Sequence, residues 1–382
     1  MAGGTWSAGM TDRKRALGLM SGTSMNGIDI ALIETDGVGH VSRVASASTA
    51  YSLEFRQQLI EAVQLAHGLT ERGQRPGRLA QIERLLTEQH AAVVQRFMGQ
   101  HSLQPSAIDV IGFHGQTVLH RPQQRLTIQL GDGPLLAART GIDVVYDLRA
   151  AECAAGGQGA PLVPVYHRAL AGKLPQRPLA VLNIGGVANV TYIGRDGTLL
   201  AFDTGPGNAL LDDWMLRHTG RAMDETGATA AKGQVSDDVV RFYLSQSFFG
   251  GAPPKSLDRN AFPIDLVDHL SIADGAATLT AFTAAAIARS REHMPQEPQL
   301  WVVCGGGRRN RTLMSMIAAR VENAVVPAEA VGFDGDATEA EAWAYLAVRS
   351  LSGLPITFPG TTGVDQPMTG GVLAEAGKAN TQ

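Results

Sequence analysis

Apolar residues follow two spacings along this chain, and the spacing predicts which segments are strands and which are helices. Short apolar runs are typical of strands, whereas apolar residues three and four positions apart are typical of helices. The predicted strands cover residues 16–20, 28–35, 108–113, 142–146, 179–184, 187–193, 199–202 and 300–303. The predicted helices cover residues 53–67, 79–98, 209–218, 276–293 and 337–350, and a further helix starts near residue 310.

The order of these elements predicts an α/β chain of two lobes with related topology. Strands 16–20 and 28–35 flank a glycine turn, and strands 179–202 form an antiparallel meander. A strand, a glycine turn and a second strand differ from the strand, turn and helix of a dinucleotide-binding unit. We expect a first lobe of residues 1–140 with the tail 361–382, and a second lobe of residues 141–360. The residues show no internal repeat, so the duplication is expected in the topology alone.

Composition narrows the class of protein. The 382 residues are 44% hydrophobic with a net charge of −4, which fits a globular chain with a buried core. There is no basic surplus that favours nucleic acid as a partner. No apolar run reaches the roughly 18 residues that a bilayer requires, and residues 1–15 lack the apolar stretch of a signal peptide. With only Cys153 and Cys304, no disulfide framework is indicated, and we expect a cytoplasmic protein without a membrane partner.

Three glycine-rich turns follow apolar runs and carry the candidate chemistry. Their residues are Gly18-Leu19-Met20-Ser21-Gly22-Thr23-Ser24, Asp203-Thr204-Gly205-Pro206-Gly207-Asn208 and Cys304-Gly305-Gly306-Gly307. Backbone N–H groups approach a phosphate closely only where no Cβ intervenes. Three such turns, far apart in sequence, indicate backbone cradles that converge on a polyphosphate. They favour a phosphotransferase with a nucleotide cleft between its lobes, although no Gly-x-x-x-x-Gly-Lys-Ser/Thr motif is present.

Asp203 is the strongest candidate for a catalytic group. A carboxylate at the end of a strand, followed at once by a glycine turn, suits a base that deprotonates the attacking oxygen in phosphoryl transfer. The alternative is an Asx-turn that caps the helix at 209–218. Asp29 has two interpretations of similar weight, as a carboxylate that holds magnesium through water or as a solvated strand residue.

The remaining candidates carry weaker signals. Gly305–Gly307 suits a nucleotide contact at a helix N-terminus, or equally a close packing turn. The sequence around His114, Gln116 and Arg149 suggests sugar or anion contacts, although a lone histidine after a strand is more often structural. Glu339 begins a helix, where a carboxylate is favoured in any case. Lys255 could reach a phosphate, and Cys304 is expected in the core.

Seven segments, in order along nearly the whole chain, resemble those of anhydro-N-acetylmuramic acid kinases. The segments are GLMSGTSMNGID at 18–29, HGQT at 114–117, AAGGQGAPLVP at 154–164, NIGG at 183–186, FDTGPGN at 202–208, PPKS at 253–256 and CGGG at 304–307. The resemblance implies the actin, Hsp70 and sugar kinase fold, which is ribonuclease H-like, with an ATP cleft between two lobes. It also implies a cytoplasmic enzyme of cell-wall recycling, commonly a homodimer.

The resemblance also implies a reaction and a set of roles. ATP, with Mg²⁺, phosphorylates O6 of 1,6-anhydro-N-acetylmuramic acid while water opens the anhydro bridge, giving N-acetylmuramic acid 6-phosphate. Asp203 matches the catalytic aspartate, and Glu339 falls near a second carboxylate. His114, Gln116 and Arg149 are the substrate-contact candidates, and no residue is assigned as a metal ligand. The nucleotide contacts would be Gly18, Leu19, Met20, Ser21, Gly22, Thr23, Ser24, Met25, Gly205, Gly207, Asn208, Gly305, Gly306 and Gly307.

Two positions depart from the family pattern. Asn26 and Glu152 each stand where the family usually has aspartate. We expect both changes to be tolerated, because Asp203 and the three glycine turns are intact. Two other functions stay open on the residues alone. One is a conventional sugar kinase that deprotonates a free hydroxyl, and the other is a nucleotide-switched chaperone or filament protein.

Overall fold

The chain folds into two units, which we describe from a computed structural model over residues 13–259 and 261–377. Unit 1 contains residues up to 170, residues 339–358 and residues from 364 onward. Unit 2 contains residues 171–338 and 359–363. Most of the N-terminal segment that the sequence predicts to lack a signal peptide lies outside the described residues.

Groups of strands are followed by groups of helices along both units. The elements up to residue 171 are β1 (Lys14–Met20), β2 (Gly27–Thr35), β3 (Val41–Ala50), α1 (Leu53–Ala66), α2 (Leu79–Gln100), β4 (Val110–Phe113), β5 (Gln116–Arg121), β6 (Leu126–Leu130), α3 (Gly133–Thr140), β7 (Val144–Tyr146), α4 (Ala150–Ala154) and α5 (Pro164–Ala171). They are followed by β8 (Leu179–Ile184), β9 (Val187–Ile193), β10 (Leu199–Pro206), α6 (Ala209–Thr219), α7 (Asp237–Leu244), α8 (Ile272–Arg289), β11 (Leu300–Cys304), α9 (Arg311–Val321), β12 (Ala324–Pro327), α10 (Thr338–Leu351), α11 (Pro359–Thr362) and β13 (Val372–Ala374).

The main sheets of the two units share one strand order. In unit 1 the order is β13-β7-β4-β1-β2-β3, and in unit 2 it is β10-β9-β8-β11-β12. In each sheet the first three strands are antiparallel neighbours, and the next two are added parallel to the first. Unit 1 adds a sixth strand, β13, which pairs antiparallel with β7 at the edge of the sheet. Counted in chain order, the shared arrangement is 3-2-1-4-5. The predicted α/β class and the related topology of the two units are confirmed.

Each sheet is buried by helices on an apolar face. In unit 1 the core includes Leu17, Ile30 and Ile111 from the sheet and Phe97 from α2. In unit 2 it includes Phe202 and Trp301 from the sheet and Ile287 from α8. Ser52 and Ser271 cap α1 and α8 by accepting backbone N–H bonds, which satisfies donors that the first helical turn leaves open.

Two glycines fix α10 against the sheet of unit 1. A Cβ on Gly18 would overlap the Ala340 carbonyl, and one on Gly112 would overlap the Trp343 carbonyl. The helix backbone therefore packs directly on strands β1 and β4. This close approach carries Glu339 and Trp343 toward the ends of those strands, where the candidate residues of unit 1 lie.

The structure divides the chain at other positions than we expected. Residues 141–170 fall in unit 1 because β7 pairs with β4 and β13. Residues 339–358 fall there too, because α10 packs on β1 and β4. The tail after residue 354 includes β13 at the edge of the sheet. Over residues 13–259 and 261–377, every helix falls short of the length and apolar character that a membrane span requires.

Candidate active site

Asp203 lies inside β10 rather than beyond its end, because the strand continues to Pro206. The pairing of β10 with β9 shifts between Asp203 and Gly205, which marks a bulge. The Asp203 Oδ2 atom accepts a 2.7 Å hydrogen bond from the backbone N–H of Leu257. Burial raises the pKa of Asp203 to about 6, and the Leu257 bond works against that rise. The carboxyl group therefore changes charge close to neutral pH.

The alternative role of Asp203 as a helix cap does not match the geometry. Helix α6 begins after Asn208, and no side chain caps its first turn. Asp212, in that first turn, is a second carboxyl group whose pKa is raised to about 6, by burial and by the neighbouring Asp213. Sequence analysis missed Asp212, because nothing in its local pattern signals the burial.

Segment 253–257 positions Asp203 through two hydrogen bonds. The backbone N–H of Asp203 donates to the Lys255 carbonyl at 3.0 Å, which complements the Leu257 bond. The Lys255 ammonium donates to the Phe248 carbonyl and to His293 Nε2, each at 3.1 Å. Burial lowers the pKa of Lys255. In this structure the lysine thus anchors the segment that positions Asp203.

The second and third glycine turns meet in unit 2. The N–H of Gly207 donates to the Gly186 carbonyl at 2.9 Å, and that of Asn208 donates to the Gly185 carbonyl at 2.7 Å. A Cβ on Gly207 would overlap the Gly185 carbonyl, and Gly305 has a φ of +74°. Turn 183–186, quoted in the family match but not among the predicted site residues, therefore joins the other two turns into one backbone surface.

The turn at Gly305–Gly307 is braced by charged side chains and left open on one side. Arg308 donates to the Gly305 carbonyl at 2.9 Å and to both oxygens of Asp336 at 3.0 and 2.8 Å. A Cβ on Gly306 would meet only Asn208 Nδ2 at 3.9 Å. Gly306 is therefore the position of this turn where another molecule's atoms could approach the backbone. No sequence motif indicated a role for Arg308 or Asp336.

The first glycine turn, in unit 1, is held by side chains. The Ser21 hydroxyl donates to Gln116 Oε1 at 2.7 Å, and Gln116 Nε2 donates to the Gly22 carbonyl at 3.2 Å. The backbone closes the turn with a 3.0 Å bond from Met25 N–H to the Gly22 carbonyl. Thr23 and Ser24 are exposed. Gln116 thus shapes the turn itself.

The other predicted residues of this turn occupy two environments. Gly18, Leu19 and Met20 are buried within β1. Gly22 is open, since a Cβ there would meet only the Ser24 hydroxyl at 3.7 Å. Met25 has a φ of +53° at the turn's far end. The accessible backbone of the turn is therefore at Gly22–Ser24.

His114 links this turn to Arg149. Its Nε2 atom lies 3.3 and 3.4 Å from two Arg149 nitrogens, and its Nδ1 atom lies 3.0 Å from the Ser21 carbonyl. A guanidinium can only donate, so Nε2 accepts and Nδ1 carries the hydrogen. Burial, helped by the Arg149 charge, lowers the pKa of His114 to about 3. The ring is therefore neutral at physiological pH.

Glu339 completes the group in unit 1. Its side chain retains solvent contact, yet desolvation raises its pKa, as does the charge of Asp29, while Arg149 lowers it. Arg149 also stacks over Trp343 at 5.3 Å. Asp29 pairs with Met20 across β1 and β2, next to the glycine turn. Sequence reasoning missed Trp343, since a tryptophan in an apolar helix reads as core.

The structure thus assembles the candidates into two groups. Unit 1 holds Glu339, Arg149, His114, Gln116 and the turn at 21–25. Unit 2 holds Asp203 with the turns at 205–208 and 305–307. Within residues 13–259 and 261–377, no three His, Cys, Asp or Glu side chains form a metal-binding group.

Comparison with known proteins identifies the family. The model of the anhydro-N-acetylmuramic acid kinase family matches residues 14–376. Anhydro-N-acetylmuramic acid kinase from Brucella canis is 54% identical over 95% of this chain and 99% of its own length. The protein of the same name from Rhizobium etli is 54% identical over 94% and 98%.

Among solved structures, the activator of 2-hydroxyisocaproyl-CoA dehydratase from Clostridium difficile, with bound ADPNP, is a distant match. It is 15% identical with a TM-score of 0.44, covering 88% of this chain and 96% of that one. A likeness this distant carries no argument about function. The match to the family model over nearly the whole chain, with relatives at 54% identity, is decisive. This chain belongs to the anhydro-N-acetylmuramic acid kinase family and is a phosphotransferase.

Proposed function

We propose that this kinase uses ATP and water to convert 1,6-anhydro-N-acetylmuramic acid into N-acetylmuramic acid 6-phosphate and ADP. Family membership supports the substrate. The observation that carries the mechanism is Asp203, a carboxyl group with a pKa of about 6 in a strand bulge beside the glycine turns. A base with a pKa near the working pH is efficient, because it is ionised before the reaction and still accepts a proton.

The anhydro bridge dictates what the base must do. O6 is bonded to C1, so it has no proton for a base to remove. Asp203 instead takes a proton from a water molecule, whose oxygen attacks C1. The C1–O6 bond breaks, and its electron pair makes O6 the nucleophile toward the γ-phosphorus. The bond from that phosphorus to the β,γ-bridging oxygen breaks, and ADP leaves.

The glycine turns are the proposed nucleotide contacts. In unit 2 the backbone at 205–208 and 305–307 is fixed by internal hydrogen bonds and close packing, so the open position at Gly306 needs little reordering on binding. In unit 1 the open backbone at Gly22 and the exposed hydroxyls of Thr23 and Ser24 are suited to phosphate oxygens.

Magnesium accompanies ATP in this proposal. The ion supplies positive charge that offsets the charge on the phosphates. Asp29 is the carboxylate that fits it, because it is half-buried beside the first glycine turn, and carboxylate oxygens are ligands that Mg²⁺ prefers. Its proposed contact is through water, as expected for an ion that dehydrates reluctantly.

Glu339 and Arg149 are the proposed sugar contacts of unit 1. Arg149 lowers the pKa of Glu339 and Asp29 raises it, which supports a grouping of these three charged groups. Glu339 is proposed to accept a hydrogen bond from the attacking water or from the sugar. His114, neutral and bonded to Arg149, keeps the guanidinium in place, so we assign it a positioning role.

Isotope labelling distinguishes this reaction from that of a conventional sugar kinase on the same fold. With H₂¹⁸O as solvent, coupled hydrolysis places the label in the C1 hydroxyl of the product. A control incubation of unlabelled N-acetylmuramic acid 6-phosphate in the same solvent measures exchange at C1. Label no greater than this control, with sugar-dependent ADP release, would favour direct phosphorylation of a hydroxyl. No sugar-dependent ADP release would leave the nucleotide-switch alternative.

The biological setting is also part of the proposal. The substrate is a fragment of bacterial cell wall, so we place the enzyme in cell-wall recycling. From the family resemblance we also propose that it is a cytoplasmic homodimer. Sedimentation of the purified chain tests the dimer, and accumulation of the anhydro sugar in a deletion strain tests the role in recycling.

A further inference from the structure

A cavity of about 140 Å³ opens in unit 1 next to His114. It lies among the loop that joins α1 to α2, the ends of β4 and β7, and the β5–β6 hairpin. Its polar lining comes from Arg72, Arg75, His114, Gln129, Tyr146 and Asp147. A water molecule takes about 30 Å³ in the liquid, so the cavity has room for a small polar substituent.

The two arginines of the cavity are used differently. Arg75 uses four of its five N–H donors, because Nε and Nη2 donate to Glu83 at 2.7 and 2.8 Å and Nη1 donates to the carbonyls of Arg72 and Gln74. The side chain of Arg72 has one partner among the described residues, Asp147, through Nη2. Arg72 therefore retains Nε and Nη1 as donors for another molecule.

Asp147 and Gln129 supply acceptors on the same cavity. Asp147 has a φ of +56°, an uncommon conformation for a residue other than glycine. Gln129 Nε2 donates to Thr127 Oγ1 at 2.7 Å, whereas its Oε1 atom is buried with no partner among the described residues. A buried acceptor without a donor is costly, which favours a bound N–H or O–H group at this place.

The charges that face the cavity come from four groups. Glu83 neutralises Arg75, and Asp147 engages one nitrogen of Arg72. Burial raises the pKa of Asp147, while Arg72 and Arg75 lower it. A carboxylate of a bound molecule would compete for Arg72 with Asp147, which burial already makes less stable as an anion. The free donors of Arg72 and the unpartnered oxygen of Gln129 together suit an acid group beside an N–H or O–H group.

We propose that this cavity binds the lactyl carboxylate of the sugar through Arg72, with Gln129 Oε1 accepting a hydrogen bond from a neighbouring N–H or O–H of the same sugar. The inference rests on the proposed function, and it makes Arg72 a specificity-determining residue. The cavity adjoins His114, which is bonded to Arg149 beside Glu339. The reacting part of the sugar is thereby placed toward Glu339, and the acid arm toward Arg72.

Calorimetric binding of two ligands tests the proposal without relying on turnover. The ligands are 1,6-anhydro-N-acetylmuramic acid and its lactyl methyl ester, which lacks the negative charge. Arg72→Gln is expected to weaken binding of the acid roughly tenfold or more, the scale of a lost charge-assisted hydrogen bond. It should change binding of the ester less than threefold. Gln129→Glu, which adds a negative charge, should also weaken the acid more than the ester.

Arg78→Gln is the matched control. Arg78 pairs with Glu61 at 2.9 Å, is about as exposed as Arg72, and does not line the cavity. It should leave both affinities unchanged. Equal weakening of acid and ester by Arg72→Gln would indicate a structural role and overturn the proposal, as would no weakening of either. Failure of the wild-type protein to bind the acid at all would refute the proposed function instead.

Discussion

The two units carry the same sheet but build their glycine turns in different ways. In unit 2, Gly207, Gly305 and Gly307 press against the backbone or side chains of residues 183–187, and a Cβ has no room there. In unit 1 the turn after β1 is held by Ser21 and Gln116, and Gly22 is open. One topology therefore supports a rigid surface of packed backbone and a turn whose shape depends on a few side-chain hydrogen bonds.

This difference predicts how each glycine turn responds to amino-acid substitution. A packed glycine tolerates no added atom, because the backbone around it would have to move. A turn held by side chains tolerates an added methyl group but depends on its buried polar partners. Unit 2 also carries Asp203 on a strand bulge, whereas the candidate residues of unit 1 lie on helix α10 and around Arg149.

The largest expected effect is at Asp203. Asp203→Asn keeps the shape of the side chain but removes the base, so turnover should fall roughly 10³-fold while ATP affinity stays within about threefold. Steady-state turnover and calorimetric ATP binding measure the two effects. Asp213→Asn is the control, since Asp213 is an exposed carboxylate of the same unit that pairs with Arg259. Near wild-type turnover in Asp203→Asn would remove Asp203 from the base role.

Two alanine substitutions compare the glycine turns directly. Gly207→Ala should lower the free energy of unfolding by about 2 kcal/mol or more, because its Cβ would overlap the Gly185 carbonyl. Gly22→Ala should change it by less than about 0.5 kcal/mol and act on the KM for ATP instead. Urea denaturation and initial-rate kinetics measure both. Equal stability losses would mean that the two turns are built alike.

Gln116→Leu tests the side-chain support of the first turn. The change removes Gln116 as a partner of the Ser21 hydroxyl and of the Gly22 carbonyl, which keep only their bonds to Tyr51 and to the Met25 N–H, at a cost of about 1 kcal/mol. The KM for ATP should rise several-fold as the turn loosens, while the KM for the sugar changes less. A rise confined to the sugar KM would instead support the contact that the sequence suggested for Gln116.

Arg308→Met is expected to have the smallest effect. Arg308 braces the Gly305 carbonyl and pairs with Asp336 and Glu329, which are more than half exposed. The side chain of Arg308 is itself buried, but the methionine removes its charge along with its pairs and leaves the half-exposed Asp336 and Glu329 to solvent, so the packed glycines should keep most of the turn's shape. ATP affinity should fall only two- to fivefold by calorimetry. If urea denaturation gave a loss of unfolding free energy as large as that expected for Gly207→Ala, charge rather than packing would hold this turn.

Regular burial made much of the fold predictable. The helices at 53–67 and 79–98 and the hairpin of β1 and β2 appear as expected, since their apolar spacing reflects one buried face or continuous burial. Strand β3 was missed because its residues, VSRVASASTA, are small and polar along an exposed edge of the sheet. Strand β10 was ended too early, since Asp203, Gly205 and Pro206 resemble a turn although they continue the strand through a bulge.

The sequence motifs predicted which residues are candidates for the site, but not which of them contact one another. The glycine turns and Asp203 carry local signals, and His114 and Gln116 were found beside them. Their contacts with Ser21 and Gly22 depend on the pairing of β1 with β4, which places distant residues side by side. The raised pKa of Asp203 could not be predicted from the sequence either, because it arises from burial by segments that are distant from Asp203 in the sequence.

The pH dependence of turnover tests the central claim most directly. A base with a pKa of about 6 is ionised at pH 8 and protonated at pH 5, so kcat/KM, which reports the ionisation of the free enzyme, should fall tenfold per pH unit below about pH 6. Asp212 titrates in the same range, so Asp212→Asn should keep this acid limb, whereas the residual activity of Asp203→Asn should lack it. An acid limb that persists in Asp203→Asn, with turnover near that of the wild type, would contradict the account.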